Sequence, residues 1–151
     1  MGTDLQRKLV IGVGNELRGD DGAGLFVARR LMALELPWVT TLEHSGEGAG
    51  LMELIQSAEH VVIVDAVQAG GEPGRIHRID AHHESVPTNF FNYSTHAFSV
   101  AEAVEMCRAL GRLPQRLVIY GVEGAQFEAG AALSPEVETA VAGVVNMIGG
   151  E

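Results

Sequence analysis

The stretch from Lys8 to Gly24 constrains this chain more than any other. Leu9 to Val13 is a short apolar, β-branched run with no polar alternation, broken by Gly12, Gly14 and Asn15. Such a run is what a strand buried on both faces requires. Two adjacent acids follow, Asp20 and Asp21, then Gly22-Ala-Gly24 and a mostly apolar segment, Leu25 to Leu36, that reads as a helix. A doubly buried strand has to lie inside a sheet covered by helices, so the stretch predicts an α/β fold. It also sets two carboxylates where a strand's carboxyl end meets a helix's amino end.

Asp is a favoured helix cap, and acids in a first turn are stabilised by the helix dipole. One Asp suffices for that, so we assign Asp20 to the cap and Asp21 to chemistry, with Glu16 close enough in the loop to be a third acid. The glycines imitate a dinucleotide-binding turn, but the third glycine of that pattern falls on Leu17, and acids repel a pyrophosphate. Nucleotide binding is set aside.

Further along, Trp38 to Glu43 alternates as a second strand, and Ser45 to Gly50 reads as a flexible loop. Leu51, Leu54, Ile55 and Ala58 then line one face of a short helix. His60 to Ala66 is another doubly buried strand, with Asp65 at its end, and Arg75 to Ile79 alternates as a shorter strand, at an edge or antiparallel. Asp80 to Thr95, with His82, His83 and the aromatic group Phe90 to Tyr93, reads as a long loop, a class of segment that is usually functional. A helix begins near His96 and carries Val100, Ala101, Val104 and Cys107 on one stripe; Gln115 to Val122 is the last strand. Ser134-Pro135 with Glu136 and Glu138 opens a final helix whose stripe runs from Val137 to Ile148. Strands alternating with helices predict a single three-layer domain over residues 1–151. Its five-stranded sheet is mostly parallel, or mixed if the fourth strand runs antiparallel, with helices on both faces and the site at the strands' carboxyl ends.

Twenty acids against ten Lys and Arg give a net charge of −10, which repels nucleic acid and anionic membrane surfaces. No apolar run is long enough to insert in a membrane, and the start of the chain lacks the apolar core of a signal peptide. The one cysteine, Cys107, makes no internal disulfide and fits a reducing compartment, so a cytoplasmic location is expected; the sequence does not set the oligomeric state, and a monomer is the default expectation. On its apolar stripe Cys107 reads as a buried small hydrophobe rather than a nucleophile, and His82-His83-Glu84 reads as solvated rather than metal-binding.

Three side chains converge on the predicted edge: Asp21, Asp65 and His96. Two carboxylates and an imidazole suit a borderline divalent metal such as nickel, zinc or manganese. The bland alternative for each is a carboxylate bonding loop amides or a solvated histidine.

Gly12 to Gly24, the strand-ending Val64-Asp-Ala66, Ser94-Thr-His-Ala-Phe98, and the later Glu123 to Gly130 and Leu133 to Val137 together resemble the hydrogenase maturation proteases. These are endopeptidases that trim the carboxyl terminus of the nickel-iron hydrogenase large subunit. The resemblance implies that Asp21, Asp65 and His96 form a metal site and the catalytic set, meeting nickel already inserted in the precursor. Nickel is then presented by the substrate, and other divalent metals can take its place in the isolated protein. The implied partner is the large-subunit precursor. A non-catalytic nickel sensor or chaperone for the same precursor is the alternative. Two positions depart from the family's habit: Glu47 where Thr is common, and Ala97 where Gln often follows the histidine.

Overall fold

The computed structural model describes residues 7–91 and 99–150. Strands β1 (Lys8–Val13), β2 (Val39–His44), β3 (His60–Val67), β4 (Ile76–Asp80) and β5 (Arg116–Glu123) form one sheet in the order β2-β1-β3-β5-β4. All neighbours are parallel except β4, which pairs antiparallel with β5 at the edge. The sheet is therefore mixed, with one reversed edge strand. Every residue of β1 and β3 is buried, as their long apolar runs demand, including Lys8, His60 and Asp65 towards their ends, whereas β2, at the opposite edge, is half open.

Helices α1 (Ala23–Ala33) and α4 (Pro135–Gly150) cover one face, and α2 (Gly48–Ile55) and α3 (Val100–Ala109) cover the other. The pleat divides the strands between the two cores. Leu9, Ile11, Val61, Ile63, Leu117 and Ile119 face α2 and α3, while Val10, Val62, Val64, Val118 and Tyr120 face α1 and α4. No helix among the described residues is long and apolar enough to cross a membrane.

Several boundaries differ from the sequence reading, each for a local reason. Helix α1 stops at Ala33 rather than Leu36 because Glu35 takes a left-handed conformation, φ 50°, which no continuing helix allows. Helix α2 starts inside the supposed flexible loop: the Glu47 carboxylate accepts from the amides of Ala49 (2.8 Å) and Gly50 (2.9 Å) and caps it. Helix α3 begins at Val100. There the Glu102 carboxylate accepts from the Ser99 amide and hydroxyl. His96 and Ala97 lie outside the described residues. Within the long loop after β4, the described residues include a 3₁₀ turn at Thr88–Phe91, and Val86 packs into the core.

The chain leaves β1 towards one side of the sheet and β3 towards the other, so their carboxyl ends flank the topological switch point, where open α/β sheets bind ligands. Helix α1 is pressed directly onto that point. A Cβ on Gly24 would lie 2.2 Å from the Val64 carbonyl oxygen and 2.4 Å from that of Val13, so only glycine lets the helix start so close to both strands.

Candidate metal centre

Between β1 and α1 a 3₁₀ turn, Gly19–Gly22, carries Asp20 and Asp21 over the switch point. Its approach depends on Gly14, whose φ of 152° and whose missing Cβ, which would sit 2.0 Å from the Asp21 carbonyl oxygen, exclude any side chain. The Asn15 amide donates to the Asp21 carbonyl at 3.2 Å, and the Asp21 amide to that of Arg18 at 3.2 Å. Asp21 itself is half-buried.

Asp65 lies one strand away, near the end of β3 and 7% exposed. Its Oδ1 accepts from the Ala66 amide at 2.8 Å. Burial, and then the charge of Asp21, push its carboxyl well above the ordinary range, with the Ala66 bond opposing. The structure thus brings Asp21 and Asp65 within electrostatic reach of one another at the switch point. A half-buried and a buried carboxylate that repel each other, the buried one taking the Ala66 amide as its donor among the described residues, are a donor set that a divalent cation fits, because its charge offsets both repulsion and burial. His96, the third candidate, lies outside the described residues, and no group of three or more ligating side chains occurs among the described residues.

The other candidates resolve clearly. Asp20 is not the helix cap. It is fully buried, and its carboxylate accepts from the amides of Ala125 (2.7 Å), Gln126 (2.9 Å) and Ser134 (2.7 Å) and from the Ser134 hydroxyl (2.9 Å). The residue before α1 is Gly22, which has no side chain to cap with. Glu16 pairs with Arg29 at the surface through two bonds of 2.9 and 3.0 Å, and Arg29 also binds Glu43 at 2.9 Å. That guanidinium holds the Glu16 carboxyl below its usual range. Cys107 is buried, and burial pushes its thiol up, the opposite of a nucleophile's tuning. His82 donates from Nε2 to the Pro114 carbonyl at 2.7 Å, while His83 stands exposed, 3.7 Å from Asp80.

One buried acid escaped the sequence reading. Glu123, 1% exposed at the end of β5, accepts from the amides of Ala69 and Gly71, both at 3.2 Å, and lies 2.9 Å from His77 Nε2. It organises the loop after β3, and the His77 ring packs on Phe90 with centroids 4.9 Å apart. Its partners are some fifty residues away in sequence, so although Glu123 opens one of the resembling motifs, nothing local marked it as buried; the register of β5 against β3 sets it opposite Val67.

A family model described as hydrogenase maturation protease matches residues 27–151. The chain belongs to that family. Among maturation-protease relatives, the hydrogenase 2 maturation protease of Escherichia coli is 31% identical over 139 residues, covering 89% of this chain and 84% of the relative. The hydrogenase expression/formation protein HupD of Thiocapsa roseopersicina is 28% identical over 147 residues, 92% of this chain. This maturation-protease chain spans only 64% of that relative's length. A solved endopeptidase from Escherichia coli superposes with a TM-score of 0.77 at 29% identity, covering 94% of this chain and 89% of the other. The five-stranded mixed sheet with helices on both faces is thus the maturation-protease fold.

Proposed function

We propose that the chain is an endopeptidase that removes the carboxyl-terminal extension of a nickel-loaded hydrogenase large-subunit precursor, using Asp21, Asp65 and His96 to engage the nickel. The observation that carries this reading is the meeting of Asp21 and Asp65 at the switch point, with the Asp65 carboxyl held well above its usual range. Family membership supports the peptidase activity. The nickel arrives as part of the substrate, and the oxygen and nitrogen donors of this chain complete its surroundings.

In that reading Asp65 keeps a proton while its recess lacks positive charge, and yields it when the precursor's cation docks beside Asp21. Deprotonation of Asp65 is then coupled to arrival of the loaded substrate, which gives the enzyme a means of ignoring an empty precursor. The half-buried Asp21, on a turn held from both sides, fixes the orientation of the docked extension. Nickel supplies Lewis-acid chemistry, polarising the scissile carbonyl or acidifying a water.

Intact-mass measurement of a nickel-loaded precursor before and after incubation, with a nickel-free precursor alongside, tests the proposal. Loss of a carboxyl-terminal fragment from the loaded form alone is expected. Binding with no change in length would replace the peptidase by a nickel-sensing chaperone. Alanine at Asp21, Asp65 or His96 is expected to leave the precursor at full length, and complete processing by all three variants would sink the ligand assignment.

A further inference from the structure

Hydrogen-bond donors divide the acids at this edge into two kinds. Asp65 has the Ala66 amide as its donor, whereas Asp20, its neighbour across the switch point, takes four bonds from a single loop. We infer that Asp20 is the positioning residue of the site, a clamp that fixes the direction of Asp21 by anchoring its turn to the loop between β5 and α4. This rests on the proposed function for its catalytic consequence, though the clamp itself stands on geometry.

In a 3₁₀ turn successive side chains point about 120° apart. With Asp20 directed into the 125–134 loop and held there, Asp21 has little freedom to rotate away from Asp65. The attachment is reciprocal: the Asp20 amide donates to the Gln126 carbonyl at 2.7 Å while its carboxylate takes the Gln126 amide at 2.9 Å. Two further ties flank it, from the Gly130 amide to the Leu17 carbonyl (2.8 Å) and from Arg18 Nε to the Phe127 carbonyl (3.4 Å). Gly124 permits the approach, since a Cβ there would lie 3.0 Å from the Asp20 Cβ. The turn is only four residues long. Its rigidity is therefore borrowed from a loop more than a hundred residues downstream. The Asp20 carboxylate oxygens are engaged by the loop, so Asp20 is assigned to positioning rather than to contact with the substrate.

Asp20→Asn preserves shape but turns an amide donor towards at least one loop N–H, and Ser134→Ala removes one donor while leaving Asp20 in place. Amide hydrogen exchange is followed at Asp21 and Gly22 against Val62 to Val64 in β3. Asp20→Asn is expected to speed exchange in the turn by about tenfold or more with β3 unmoved, Ser134→Ala by less. Turn rates equal to wild type, or a rise shared equally with β3, would overturn the clamp. Steady-state processing of nickel-loaded precursor by the same proteins is expected to show kcat per folded molecule down by about ten- to a hundredfold with KM within about twofold. An unchanged kcat per folded molecule accompanied by a lower Tm would make Asp20 merely structural and overturn the inference. If Asp20→Asn does not fold, Ser134→Ala carries both readouts. A wild-type chain that leaves the precursor uncut fails the peptidase reading alone, and the exchange data then decide the clamp.

Discussion

At the scale of single residues, Asp65 is the acid whose burial works against its charge. Its folded value is raised by burial and by Asp21, so folding favours the protonated form. The stability tied to this group is fully present below the ordinary carboxyl range and is lost as pH rises through the raised value. Asp65→Asn keeps an acceptor for the Ala66 amide and removes the charge. Thermal melts are therefore expected to show the variant above wild type near neutral pH, by about 2–4 °C for each kcal/mol relieved, with the gap closing as pH falls towards about 4. A variant that melts at or below wild type across that range would contradict the raised value. The same variant is expected to process no precursor. That Asp21 and Asp65 come to the same edge of the sheet was legible in the sequence, because Asp65 closes a doubly buried strand and Asp21 lies in the turn that joins another to its helix. Asp20 was not legible. Its partners, Ala125, Gln126 and Ser134, lie more than a hundred residues on, and nothing local distinguishes an acid that caps a helix from one that gathers a distant loop.

At the scale of elements, the placement of α1 decides where the acids stand. Gly24→Ala would set a methyl carbon 2.2 Å from the Val64 carbonyl and 2.4 Å from the Val13 carbonyl, both backbone atoms of central strands. The helix must move off the sheet, at a cost of about 3 kcal/mol or more, read from the urea midpoint. A midpoint equal to wild type would show that α1 tolerates a shift and that its docking does not fix the site. Ser99→Ala, which removes the hydroxyl and not the amide bonded to Glu102, is expected to cost about 1 kcal/mol in the same measurement. The central strands and α4 were legible because burial on two faces and a long apolar stripe admit one interpretation. The reversal of β4 was read only as one of two possibilities, since its alternation fits an edge in either direction. Glu35 at φ 50° ended α1 early, and no propensity argument places a glutamate there.

At the scale of the whole molecule, the net charge of −10 and the carboxylate-lined edge give the protein a surface of hard oxygen donors. Its one thiol is withdrawn from that surface: Cys107 is 0% exposed between α3 and the sheet, and burial pushes its thiol up. Cys107→Ser is accordingly expected to leave precursor processing intact while costing about 1–3 kcal/mol in the urea midpoint, the desolvation of a hydroxyl in an apolar layer. Loss of processing by the folded variant would reopen the question of a cysteine nucleophile. Under the proposed function, the sealed thiol also bears on the direction of metal traffic. Thiolate is the soft ligand that holds such a metal best, so a molecule whose one thiol is shut inside, and which would meet nickel through oxygen and imidazole donors, can inspect a substrate-held ion without gaining custody of it. Separated after reaction, the processed large subunit should retain the metal and this chain should elute without it; nickel travelling with the chain instead would mark it as a carrier that takes delivery.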